Sequence, residues 1–186
     1  DIVITFFFAV FVVGMSEELS KFVFLRYYIY PKKEFCEPMD GIVYSVMISM
    51  GFATLENIFY VIEGGLNVAI LRMFLSVPAH AAFAVIMGYF VGMAKFAPSE
   101  SQRFSLLNSG LGAAILTHGL FDFFIMQQNF PSLAVLTLGT FIVAVILSMR
   151  MIKTHVENSP HKEKERKLMI ENLYTSDSLE EEEENE

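Results

Sequence analysis

Five apolar stretches, each closed by a short polar separator, set the pattern of this chain. They run at about 2–29, 41–62, 66–94, 104–126 and 132–150, divided by YPKKEFCEPMD, EGG, KFAPSESQR and QQNFP. Roughly 20 helical residues cross about 30 Å of hydrocarbon, so each stretch is long enough to span a bilayer. Every separator carries Pro, Gly or clustered polar residues that interrupt a helix. The first and third stretches exceed the minimum and are expected to tilt or to extend past the headgroups. The pattern predicts an all-α polytopic membrane helix bundle of about five spans. It divides into a transmembrane domain over 1–153 and an acidic, largely disordered tail over 154–186, within which KEKERKLMIENLY can form a short helix. Because the chain opens inside an apolar run at Asp1, further sequence is expected upstream.

Composition and charge sharpen this picture. With 54% hydrophobic residues, 19 Phe and no Trp, the chain is too apolar for a soluble domain of 186 residues. The formal charge of −8 is concentrated at the end, in SLEEEEENE, a like-charge block that should stay solvated. Neither part has the basic footprint of a nucleic-acid binder. Lys and Arg set the orientation: Arg26, Lys32 and Lys33 flank the first loop, Lys95 and Arg103 the third, and Arg150 and Lys153 the tail, while the second and fourth loops carry none. By the positive-inside rule, the first and third loops and the C-terminal tail are cytoplasmic. The single Cys36 cannot form an internal disulfide.

Ionisable residues within spans are costly and usually face a protein interior or a water cavity. Here they are Glu17, Glu18 and Lys21 in the first span, Glu56 (with Asn57) in the second, Arg72 and His80 in the third, and His118 and Asp122 in the fourth. Counted from the cytoplasmic ends at about 1.5 Å per residue, Glu56, His80 and His118 each lie roughly 21–22 Å deep, and Glu17 roughly 15–20 Å. Four protonatable side chains on antiparallel helices therefore reach a similar level. Glu17 and Glu18 lie four and three residues before Lys21, which can pair with either, and His118 and Asp122 share a face at i,i+4. Arg72 sits near the outer end and is expected to snorkel outward. Rows of small residues, Ser45, Ser49 and Ala53 in the second span and Gly88 and Gly92 in the third, permit close helix approach. The fifth span has no charge before Arg150 and reads as scaffold.

Structural roles account for some of these residues taken singly, as a buried Glu18–Lys21 pair or a histidine bridging helices. Two histidines and three glutamates at one depth point instead to chemistry. EELSK, EPMDGIVYSVMISMGFATLENIFYVIEGG, RMFLSVPAHAAFAVIMGYFVGMAKF and THGLFDF, in that order, resemble the successive signatures of PrsW-type intramembrane proteases, a group related to the type II CAAX prenyl endopeptidases and the wider CPBP group. The resemblance runs over roughly residues 10 to 126. It implies a membrane-embedded endopeptidase whose catalytic residues are Glu17, Glu18, His80, His118 and Asp122, with Glu56, Asn57 and Lys21 lining the site. Glu37 and Asp40 belong to the family blocks at the cytoplasmic start of the second span. In the related prenyl endopeptidases an Asn occupies the Asp122 position, so Asp122 must here be protonated or orient His118. The implied substrate is a membrane-anchored protein, in the setting of stress or anti-sigma-factor signalling, and the implied location is a bacterial plasma membrane.

Peptide hydrolysis needs an activated water, a proton donor for the leaving amine and stabilisation of the oxyanion. Glu17 is the leading general base, supported by Glu18, while His80 holds the water and His118 the oxyanion. No G-x-S-x-G or H-E-x-x-H motif offers another route. The preferred expectation uses no cofactor. Zinc held by Glu17, His80 and His118 is the alternative within proteolysis, since carboxylate and imidazole are zinc donors. A proton-coupled transporter or channel would also bury Glu, His and Asp, but five spans without an inverted repeat do not suit one.

Overall fold

A computed structural model describes residues 1–127 and 131–169 of the chain. Among these residues every regular element is helical, and five helices are long and apolar enough to cross a membrane. The protein is an all-α membrane bundle. The acidic run of the tail, in 170–186, lies outside the described residues.

The first span, α1, is Ile2–Ile29. Two stretches of it, Phe8–Gly14 and Leu25–Ile29, widen to π-helical turns, which change the phase of the residues that follow. The next helical run, Pro38–Phe74, is broken at Gly65, whose φ of 77° and ψ of 177° are accessible essentially to glycine alone. The break makes two antiparallel legs: α2 covers 38–64, and α3 begins at 66 and continues through Ser76–Lys95 after a bend at Leu75. Pairs across the hairpin are symmetric about Gly64 and Gly65. Gly41 meets Gly88 and Gly92, the Ser49 hydroxyl donates to the His80 carbonyl at 3.0 Å, and Glu56 meets Arg72. A Cβ on Gly41, Gly88 or Gly92 would run into the partner backbone, so Gly88 and Gly92 do allow close helix approach, against Pro38, Gly41 and Ile42 at the start of α2.

α4 is Glu100–Ile125, started by the Ser99 hydroxyl, which accepts from the Gln102 amide at 3.2 Å. It buries Leu107, Gly110, Ala114, His118 and Phe121, one stripe at helical spacing. A short 3₁₀ turn, Pro131–Ala134, precedes α5, Val135–Glu157. α5 braces α3 through Ser148, which donates to the Ala82 carbonyl at 2.9 Å, and His155, whose Nε2 lies 3.2 Å from the Tyr89 carbonyl oxygen. Among the described residues, α5 makes no hydrogen bond or ion pair to Glu17, Glu18, Lys21, Glu56, Arg72, His80, His118 or Asp122.

α3 is the central helix. Half of its most apolar window is buried, against 17–28% for the other four spans. The remaining large apolar side chains point outward, for example Phe7, Phe11, Met47, Phe59, Ile62 and Met149, as a lipid-facing surface requires. Beyond α5 a short helix covers 160–169, overlapping the segment expected to be helical. Its lead residue Ser159 donates to Glu37 Oε2 at 2.6 Å and ties the chain after α5 to the start of α2.

Candidate active site

A close helix crossing brings the first glutamates to the last histidine. The buried stripe of α1 is Val10, Gly14, Glu18, Lys21 and Leu25, spaced by four, four, three and four residues. A Cβ on Gly119 would lie 2.7 Å from Val10 Cα, and one on Gly14 would lie 3.1 Å from the Gly119 amide nitrogen. Glycine at both positions lets α1 and α4 touch backbone to backbone. One turn past Gly14 stands Glu18, and His118 directly precedes Gly119. The contact leaves Glu18 Oε1 2.8 Å from His118 Nδ1.

From this bond a network extends across four helices. Lys21 Nζ donates to Glu18 Oε1 at 2.7 Å, lies 3.6 Å from Glu17 Oε2 and reaches His80 Nδ1 at 3.2 Å. His80 Nε2 lies 3.0 Å from Glu56 Oε2, and the other Glu56 oxygen lies 2.8 Å from Arg72 Nη2. On the α4 side, His118 Nε2 is 3.3 Å from Asp122 Oδ2 and 3.9 Å from Glu17 Oε2. The two imidazoles stand nearly perpendicular with ring centres 4.9 Å apart, and Phe83 stacks on His118 at 5.1 Å. Glu18, Lys21, His80 and His118 are buried, whereas the side chains of Glu17, Asp122, Arg72 and Glu56 retain 15–19% exposure.

Hydrogen-bond direction constrains the tautomers. An ammonium has donors and no acceptor, so the Lys21 contact makes His80 Nδ1 an acceptor and puts the ring hydrogen on Nε2, toward Glu56. His118 is flanked on Nδ1 by Glu18 and on Nε2 by Asp122. Donation from Nδ1 to Glu18 leaves Nε2 turned toward Glu17 and Asp122.

Glu17, Glu18, Lys21, Glu56, His80, His118 and Asp122 are therefore placed in one cluster. Asn57 makes no hydrogen bond to it, and its Oδ1 is buried without a partner. Glu37 and Asp40 sit apart, at the start of α2, where they form a reciprocal cap: the Asp40 carboxylate accepts from the amides of Cys36 and Glu37 at 2.8 and 2.9 Å. Arg72 corrects the outward snorkelling expected of it. Its guanidinium turns inward to Glu56 and over the Tyr60 ring at 3.7 Å from the centroid. The sequence signal for this was the hairpin itself: folding at EGG sets position 72 opposite 56.

Metal binding can be tested on the donor set. Glu17, His80 and His118 offer one ligand atom each within 4.8 Å of one another, the only such group found among the described residues. Glu17 Oε2 is buried and makes no hydrogen bond, as a free donor atom would be. Glu18 behind His118 supplies the carboxylate support that metal-bound histidines usually have. Four carboxylates, Glu17, Glu18, Glu56 and Asp122, face two fixed cations, Lys21 and Arg72, an excess of negative charge that a divalent ion would balance. The residues fit a metal, with one condition: His80 must release either Lys21 or Glu56 to offer a lone pair.

Comparison with known proteins identifies the family of the chain. Residues 1–149 match the model of a family described as PrsW family intramembrane metalloprotease. Curated relatives named Protease PrsW include one from Geobacillus kaustophilus, 43% identical over 116 residues, which are 62% of this chain and 51% of that protein. The protein of that name from Bacillus subtilis is 43% identical over 110 residues, covering 59% and 50%. That from Oceanobacillus iheyensis is 33% identical over 151 residues, covering 81% and 68%. The chain spans about half the length of the first of these relatives. No solved structure matches. With the family model covering most of its length, the chain belongs to the PrsW family of intramembrane metalloproteases.

Proposed function

We propose that this chain carries the hydrolytic centre of an intramembrane endopeptidase acting on membrane-anchored proteins. The observation that carries the reading is the convergence of Glu17, His80 and His118, from three helices, with Glu17 Oε2 buried and without a hydrogen bond. Glu17 takes the proton of the attacking water and returns it to the leaving amine. Lys21 and Glu56 hold His80 in one tautomer and orientation in the resting site, and release of either contact frees a ring nitrogen to position the water. Glu18 orients His118, whose Nε2 faces the developing oxyanion when protonated. Asp122 beside that nitrogen supports the protonated form, which answers the charge conflict that an acid at this position would otherwise create. Membrane-anchored regulators such as anti-sigma factors are the substrates that the family resemblance implies. The test is mass spectrometry of single-span proteins after incubation with the purified full chain, with Glu17→Gln as control.

Whether the water is activated by side chains alone or on a metal divides two readings. Lys21 favours the first, because its ammonium already occupies His80 Nδ1 and stands 3.6 Å from Glu17. The orphaned Glu17 oxygen and the family's description favour the second. Zinc held by Glu17, His80 and His118 would polarise the carbonyl and lower the pKa of bound water. In the side-chain reading, purified protein carries metal well below one equivalent and keeps its activity after exhaustive chelation. One equivalent of metal, with activity lost on its removal and restored by zinc, establishes the other.

A plasma-membrane location is the reading that the bacterial relatives support, and a cytoplasmic tail is the reading that the Lys/Arg pattern supports. Cys36 is free and exposed beside the start of α2. Partial desolvation and the nearby Asp40 and Glu37 carboxylates push its thiol up, so labelling needs mildly alkaline buffer. A membrane-impermeant maleimide should modify Cys36 only in inside-out vesicles, and a cysteine placed at Gly64 in a Cys36→Ser background only in right-side-out vesicles. The reverse pattern inverts the orientation.

A further inference from the structure

A cavity of about 100 Å³ lies where the start of α3 passes the end of α4. Two of its walls, Arg72 and Asp122, belong to the ionic network, and its other walls are mainly Leu71, Leu75, Phe121 and Ile125. Phe121 is buried and closes the inner side, while Leu71 and Ile125 are exposed on the lipid-facing surface. We propose that this cavity is the subsite that receives a short aliphatic side chain of the substrate, next to the scissile bond. The assignment rests on the proteolytic reading and adds a substrate class to it.

Three features support it. Position comes first: Asp122 lies 3.3 Å from His118 Nε2, so a side chain in the cavity holds its own backbone beside the reacting groups. Size comes second. An apolar cavity of roughly 150 Å³ takes a benzene ring, so this smaller one suits Ala, Val or Leu and not Phe or Trp. Charge comes third. An acidic side chain would meet Asp122 and a basic one Arg72, and each would lose its hydration among four apolar walls.

The test uses Lys-flanked Leu/Ala transmembrane peptides with a central Gly-Xaa-Ser-Gly, where Xaa is Ala, Val, Leu, Phe or Asp. They are incubated in detergent with the purified full chain, and the products are read by mass spectrometry. Ala, Val and Leu peptides should be cleaved about tenfold or more faster than Phe and Asp peptides. Ile125→Ala should widen the cavity and raise the relative rate for Phe. Ser76→Leu, on another wall of the cavity, should narrow it and shift preference toward Ala. Opposite shifts from the two variants separate a subsite from misfolding, which lowers all rates together. Cleavage with the same profile in wild type and both variants overturns the subsite and leaves the proteolytic reading standing, whereas a wild-type chain that cleaves none of the peptides overturns both.

Discussion

Glu17→Gln should abolish cleavage while leaving the bundle assembled. Gln preserves the volume and the hydrogen-bonding reach of the side chain but cannot take a proton from water. A loss of about 3 kcal/mol or more in transition-state stabilisation corresponds to over a hundredfold in rate. The geometry makes the structural cost small. Glu17 Oε2 has no hydrogen bond to lose, and the nearest cation, Lys21, keeps its 2.7 Å bond to Glu18. His118→Ala should be as damaging to the rate but also to the fold, because it strips Glu18 of a buried partner at 2.8 Å. Glu157→Gln, at the end of α5 and on the protein surface, should change neither. The measurement is the initial rate of product formation with thermal unfolding in detergent followed in parallel. A well-folded Glu17→Gln protein cleaving at the normal rate would falsify the assignment of the base.

The residues of the centre were legible because a membrane makes them so. A carboxylate or imidazole within 20 apolar residues stands out, and equal depth on antiparallel spans already groups Glu17, Glu56, His80 and His118. Boundaries were legible for the same reason: EGG predicted a turn near 63–65, and the structure turns at Gly65. Direction around the helix was not. Arg72 looked like an outward residue because depth was the only coordinate available, and the hairpin's rotation turns it to Glu56. The π-helical turns in α1 were equally hidden, since nothing in FFFAVFVVG marks an added residue per turn. Asn57 shows the converse limit. It lies next to Glu56 in sequence, but adjacent residues on a helix point about 100° apart, and only Glu56 joins the network.

Lys21 was the most ambiguous residue in the sequence, and its replacement should have the largest effect on stability. Its ammonium is buried among Glu18, Glu17 and His80, and over the Phe52 ring at 4.5 Å from the centroid. Lys21→Met keeps the length and the apolar stem but leaves Glu18, 1% exposed, without its cation. Removing one partner of a buried pair typically costs about 3–5 kcal/mol, because the remaining charge has neither water nor a counter-ion. The double variant Glu18→Gln/Lys21→Met removes both charges together and should recover much of that loss, as replacement of whole buried pairs often does. Activity should not return with stability. The double variant frees His80 Nδ1 from its donor and takes the carboxylate from behind His118, so both imidazoles lose the contacts that orient them. Unfolding temperature in detergent and cleavage rate, measured on the two single variants and the double, separate the roles. If Lys21→Met unfolds at the wild-type temperature, the ammonium is not what makes the buried Glu18 tolerable. If the double variant is both stable and active, Lys21 and Glu18 are structural partners that lie outside the chemistry.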